Sequence, residues 1–178
     1  MTLLTAAQQM RPVASSPVRT HEFRPLVVDI AAPQVLVFEM ASAVNGTLPG
    51  SPPHSAELIE RDGDELIVRY RTPAYITELV LIERVRLSPP ERIEYEVLDG
   101  PLDRVREYLA FDAVDPHRTR VRYGGIVGSG RPLVGTLIAR WLAVPAYDRF
   151  MRRQLAALKA AAEARAVRSR RYGRPDAA

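Results

Sequence analysis

Arg92-Ile93-Glu94-Tyr95-Glu96-Val97 and, further along, Arg118-Thr119-Arg120-Val121-Arg122-Tyr123 alternate charged with uncharged side chains. Successive side chains of an extended chain point to opposite faces, so each stretch carries one charged face and one that is not. This is the pattern of an antiparallel sheet with one face in water and the other covered. The turns outside these stretches extend the pattern. Asp62-Gly63-Asp64, whose Asp-Gly pair is a strong hairpin signal, joins His54–Arg61 to Glu65–Thr72. Tyr75–Ser88 turns at Pro89-Pro90 into Arg92–Leu98, Asp99-Gly100-Pro101 turns that into Arg104–Val114, and Asp115-Pro116-His117 leads into Arg118–Val127. Six strands in a meander are expected.

Before the meander, Phe23–Ala31 is rich in β-formers and reads as a strand. Pro33 suits the first turn of a short helix over Gln34–Ala43, which Asn45-Gly46 and the Pro/Gly cluster at 49–53 stop. After Gly128 and Gly130 the apolar period changes from two to about 3.6. Val134, Leu137, Trp141, Val144, Met151, Leu155, Leu158 and Ala162 form one stripe, which predicts a helix from near Pro132 to about Ala166. Pro145 predicts a kink near Ala143. The fold class is therefore α+β: a seven-stranded curved antiparallel sheet wrapped around a long C-terminal helix, with a short helix after the first strand.

The 178 residues suit one domain, expected over 21–166, with a disordered leader at 1–20 and a basic disordered tail at 167–178. No apolar run approaches the roughly 18 residues of a membrane span. The chain has no cysteine, which removes disulfides and thiol chemistry and makes the cytoplasm the expected compartment. The net charge of +4 is unevenly spread: nine Lys/Arg from Arg149 onward face only Glu163 and Asp176, and the rest of the chain is slightly acidic. Tyr172 is the only aromatic residue among the basic side chains of the tail, so no nucleic-acid partner is expected.

The strand, short helix, meander and terminal helix follow the helix-grip order. The sequence resembles the START-like SRPBCC superfamily, which includes polyketide cyclases, aromatases and lipid-binding proteins. Val28-Asp29-Ile30-Ala31-Ala32-Pro33 followed by Val37-Phe38-Glu39 resembles its first strand running into its first helix. Pro90-Glu91-Arg92-Ile93-Glu94-Tyr95 resembles its middle hairpin. Leu98-Asp99-Gly100-Pro101-Leu102 with Phe111 resembles the strand pair of the coenzyme Q-binding and ribosome-associated toxin branch. Thr119-Arg120-Val121-Arg122-Tyr123 resembles the penultimate strand, and Leu155-Ala156-Ala157-Leu158-Lys159 with Glu163 the closing helix. The likeness spans residues 23 to 166 and implies an internal, largely apolar cavity for a small lipophilic molecule.

With the charged positions assigned to the outer face, the inward set includes Tyr70, Leu79, Leu81, Glu83, Tyr95, Glu107, Phe111 and Tyr123. Counting back from the turns pairs Tyr95 with Val85 and with Glu107 and places Glu83 on a diagonal. A buried carboxyl among apolar groups has its pKa raised and exchanges protons near neutral pH, which makes Glu83, Glu107 and Tyr95 the candidate catalytic residues. The alternative is a bulge that slips the strand, leaving both glutamates at the rim or paired with Arg84 or Arg106. Tyr70, Leu79, Leu81, Phe111, Tyr123, Trp141 and Asp148 are the candidate ligand-binding residues. The tyrosines have a packing alternative, and Asp148 either lines the cavity mouth or meets solvent beside Arg152. His21, His54 and His117 share no ligand spacing, and the Gly124-Gly125 and Gly128–Gly130 runs fit no phosphate loop, so no metal and no cofactor is expected. Three functions stay open: a cyclase, aromatase or dehydratase; a lipid or quinone carrier; and a ribosome- or protein-binding member of the superfamily. The expected protein is a monomer or homodimer.

Overall fold

The meander read from the turns is present. A computed structural model describes residues 20–44, 48–52, 54–74, 77–100, 104–128 and 144–172. In chain order its elements are β1 (Thr20–Glu22), β2 (Leu26–Ile30), α1 (Gln34–Ser42), β3 (Ser55–Asp62), β4 (Glu65–Ala74), β5 (Thr77–Ser88), β6 (Arg92–Asp99), β7 (Arg104–Asp115), β8 (Arg118–Gly128) and α2 (Val144–Tyr172). Strands β3 to β8 pair antiparallel in sequence order, and β1 and β2 both pair with the far edge of β8. The curved sheet therefore has seven strand positions, the last filled by two segments. The break falls at Phe23-Arg24-Pro25, where the proline has no N–H to donate to a ladder. Phe23 remains attached, its N–H donating to the Gly125 carbonyl at 2.9 Å.

Register fixes which side chains face inward. Val85 lies opposite Tyr95, Tyr95 opposite Glu107, and Glu107 opposite Gly125. Gly63, at φ +56°, supplies the left-handed backbone of the β3–β4 hairpin. On the outer face, ion pairs such as Arg120–Asp29, Arg122–Asp112 and Arg106–Glu96 cross between neighbouring strands. Exposed pairs of this kind contribute little stability. Their importance is that they keep this face in water and leave the other for the core.

The core runs along the inner face, from Val68 and Val85 to Val105 and Val127, and closes most tightly under the helices. Ile30, Val37, Ile93, Phe111, Val121 and Thr119 are sealed there, with Leu155, Leu158, Ala162 and Ala166 of α2 packed over them. The backbone of α2 packs chiefly on β2 and α1. Glu163 joins the same seam by accepting the Ala31 N–H at 2.9 Å. Thr119 has no exposed surface, and its hydroxyl donates to the Ala32 carbonyl at 2.8 Å, tying β8 to the entry of α1. Thr119→Val keeps the shape but leaves that carbonyl without its donor, so denaturant unfolding is expected to show a loss of about 1–2 kcal/mol.

The terminal helix differs from the expectation at its end. It runs to Tyr172, so 167–172 of the expected disordered tail is helical. The apolar stripe stops near Ala166, but arginine is a good helix former, and Arg170 and Arg171 sit in the last turn, where cations complement the helix dipole. The expected helix start near Pro132, the kink near Ala143 and Trp141 lie outside the described residues. Pro145 is the second described residue of α2. Thr20 is already paired in β1, one residue inside the segment expected as a disordered leader.

Candidate functional site

Strands β5, β6 and β7 bring Glu83, Tyr95 and Glu107 together on the inner face. Glu83 is 6% exposed and Glu107 is 7% exposed, so neither lies at the rim. Arg84 pairs instead with Glu65 and Glu96, and Arg106 with Glu96. A bulge does exist, with Leu98 as the extra residue between the Ile82–Asp99 and Glu83–Val97 pairs. It sits on β6, so β5 keeps its phase and Glu83 stays inward. Tyr123 on β8 completes the group, its hydroxyl donating to Glu107 Oε2 at 3.1 Å. Tyr70 of β4 is close enough to both carboxyls to be affected by their charge.

Burial dominates the electrostatics. It raises the Glu83 carboxyl from 4.5 to about 8, with the charge of Glu107 adding to the effect. At neutral pH Glu83 is therefore a carboxylic acid able to donate a proton. The phenols of Tyr70, Tyr95 and Tyr123 are all pushed above 10, first by burial, and remain donors. For Tyr123 the next causes are the charge of Glu107 and its hydrogen bond to that group.

The other candidates divide. Leu79 is half-buried and Leu81 buried on β5, along the same inward row as Glu83. Phe111 is not in this group: it sits in the sealed core, its ring edge-on to Phe38 at 5.5 Å. Asp148 is half-buried on α2 and bound to Arg152 one turn on, with Nε 2.8 Å from Oδ2, yet its charge still reaches Tyr123. Trp141 lies outside the described residues. Among those residues no group of three potential ligands could hold a metal ion.

Two features had escaped the sequence reading. Gly125 lies opposite Glu107, and a Cβ there would come within 2.4 Å of the Arg106 carbonyl oxygen. The signal was a Gly-Gly pair inside an alternating strand, which marks close backbone approach. The second is a groove of about 410 Å³ on the opposite, outer side of the sheet, where Arg84, Arg86, Arg92 and Arg106 surround Tyr108. Arg92 stacks on the Tyr108 ring at 4.3 Å. The four arginines are held by Glu65, Glu94 and Glu96, and the lining also includes Tyr95, Glu107 and Gly125 of the strands that carry the inner site.

No protein-family model matches the chain, and no curated protein matches it. Solved structures do. The Zhui aromatase/cyclase from Streptomyces sp. R1128 superposes with a TM-score of 0.71 at 20% identity, over 87% of this chain and 98% of that one. The protein TTHA0849 from Thermus thermophilus gives 0.69 at 21% identity, over 81% and 98%. A START superfamily protein from Mycobacterium smegmatis gives 0.59 at 17% identity, over 83% and 99%. The fold is START-like. At these identities the likeness is one of architecture, and the chemistry of this START-like chain has to be argued from its own inner-face residues. Among the described residues, no helix is long and apolar enough to cross a membrane.

Proposed function

We propose that the protein binds a small lipophilic molecule against the inner face of its sheet. Glu83, Glu107 and Tyr95 then move protons on that molecule, as in cyclisation, aromatisation or dehydration of a polyketide-like chain. Tyr95 carries the reading. Its phenol lies among buried inner-face groups, which push its pKa up, and yet the residue keeps partial exposure, as a side chain beside a ligand space would. Tyr70, Leu79 and Val97 also face inward and keep partial exposure, while neighbours such as Val68 and Ile93 are sealed. Among the described residues, the helix backbone packs chiefly at β2 and α1. An apolar ligand against the inner face gains about 25 cal/mol for each Å² removed from water.

The proton chemistry follows from the two carboxyls being unlike. Glu83, held protonated by burial, is the acid. Glu107 accepts a hydrogen bond from Tyr123, which orients it as the base. Enolisation or dehydration of a bound carbonyl compound needs this combination of one donor and one acceptor. The Zhui aromatase/cyclase supplies a neighbour of the same architecture named for such chemistry.

Native mass spectrometry of freshly purified protein tests the binding step by looking for a retained organic molecule. The double substitution Glu83→Gln with Glu107→Gln tests the chemistry. Turnover of a cyclisable polyketone is expected to fall by about 10²–10⁴-fold while the molecule is still bound. Binding without turnover in the unsubstituted protein assigns a carrier of a lipid or quinone instead.

A further inference from the structure

Glu83 is set apart from the other charged side chains among the described residues. Its carboxyl is buried on the inner face, and no hydrogen bond or ion pair from a described residue reaches it. A carboxylate so placed has lost most of its hydration with no described partner in exchange, which disfavours the charged form unless a cation meets it. The charges around it are of one sign. Glu83 and Glu107 act on Tyr70 and Tyr95, and both act with Asp148 on Tyr123. No described cation acts on these three phenols or on Glu83. Arg152, which holds Asp148, has a side chain 57% exposed and belongs to the outer surface of the helix. The inner site thus holds acidic groups and no described cation, together with three aromatic rings. Carboxylates and aromatic faces are both groups that recognise an ammonium ion.

We propose that this site takes a ligand with a basic nitrogen on an otherwise apolar skeleton. Glu83 is the ion-pair partner of the nitrogen, and Tyr70, Tyr95 and Tyr123 form the aromatic wall. The inference rests on the interior binding reading given above. A free amine entering the site takes the proton of the Glu83 carboxylic acid: the O–H bond breaks, an N–H bond forms, and an ion pair is left with no other reactant consumed. An amine that arrives protonated displaces the same proton to solvent. A neutral alcohol of the same skeleton gains the apolar burial without the charge pairing, and a carboxylate meets like charge from Glu107 and Asp148.

Naphthylmethylamine, naphthylmethanol and naphthoate share one ring system and separate these cases when titrated calorimetrically into the full-length protein. The amine is expected to bind at least about tenfold more tightly than the alcohol, equivalent to about 1.4 kcal/mol, and naphthoate most weakly. In Glu83→Gln, which keeps the side-chain shape, the ratio of amine to alcohol affinity is expected to fall to near one. An alcohol that binds as well as the amine overturns the inference and leaves interior binding intact. An amine preference that survives in folded Glu83→Gln also overturns it, because the nitrogen is then held elsewhere. If none of the three binds, the interior reading fails and this inference fails with it.

Discussion

Glu83→Gln is expected to make the protein more stable at pH 8 than the unsubstituted chain, by up to about 5 kcal/mol, and equally stable below about pH 4.5. Burial and the charge of Glu107 lift the Glu83 carboxyl from 4.5 in the unfolded chain to about 8 in the folded one. Between those values the folded protein holds a proton that the unfolded chain has released. The contribution of Glu83 is therefore fully present below 4.5, declines as pH rises, and is lost above about 8. Glutamine does not titrate, so the variant lacks this decline. Asp29, Glu65, Glu96 and Glu163 behave in the opposite sense: their partners lower their values, and their contribution is lost as pH falls. They are common to both proteins and cancel in the difference. Denaturant titrations of both chains from about pH 4 to about pH 9.5 measure it. A difference that stays flat across that window removes the protonated Glu83, and with it the proposed acid.

The position of Glu83 was legible because strand phase is a local property. Alternation in 92–97 and 118–123 set the inward face, and counting from the turns placed Tyr95 opposite Val85 and Glu107, as the register has it. What escaped was non-local or lay between patterns. Leu98 bulges just before the Asp99-Gly100 turn, whose residues read as the end of the strand, and whether that bulge turned Glu83 outward depended on which strand absorbed the extra residue. Pro25 was visible in Phe23-Arg24-Pro25-Leu26, yet the surrounding β-formers hid the break it makes. Periodicity recognises a helix by its buried stripe, so it stopped at Ala166 and missed the exposed turns to Tyr172. Phe111 shows the limit for the site: alternation says that a side chain faces inward, but only packing separates a ring wedged against Phe38 from one beside Glu83.

Gly125→Ala is expected to cost about 3 kcal/mol, and Gly124→Ala less than about 1 kcal/mol, although the two glycines are adjacent on β8. A methyl group on Gly125 would lie 2.4 Å from the Arg106 carbonyl oxygen and 2.9 Å from Glu107 Cα, both main-chain atoms of β7. Neither moves without opening the β7–β8 ladder at the Glu107–Gly125 pair. Glu107 Cγ, at 3.1 Å, is pushed as well, which disturbs the bond that Tyr123 makes to that carboxyl. On Gly124 the nearest atoms to the methyl group are at the far end of Tyr108, with its hydroxyl at 2.8 Å, and that half-buried side chain yields more easily than backbone does. It gives up its stacking with Arg92, while the unfolded chain loses the extra freedom of a glycine, so the two effects nearly offset. Unfolding midpoints of the two variants, read beside ligand affinity, distinguish the positions. Gly125→Ala is expected to lower both, and Gly124→Ala to leave affinity within about twofold, because only Gly125 shares a face with Glu107. Equal losses at the two positions rule out the close approach of β7 to Gly125 as the reason for glycine there.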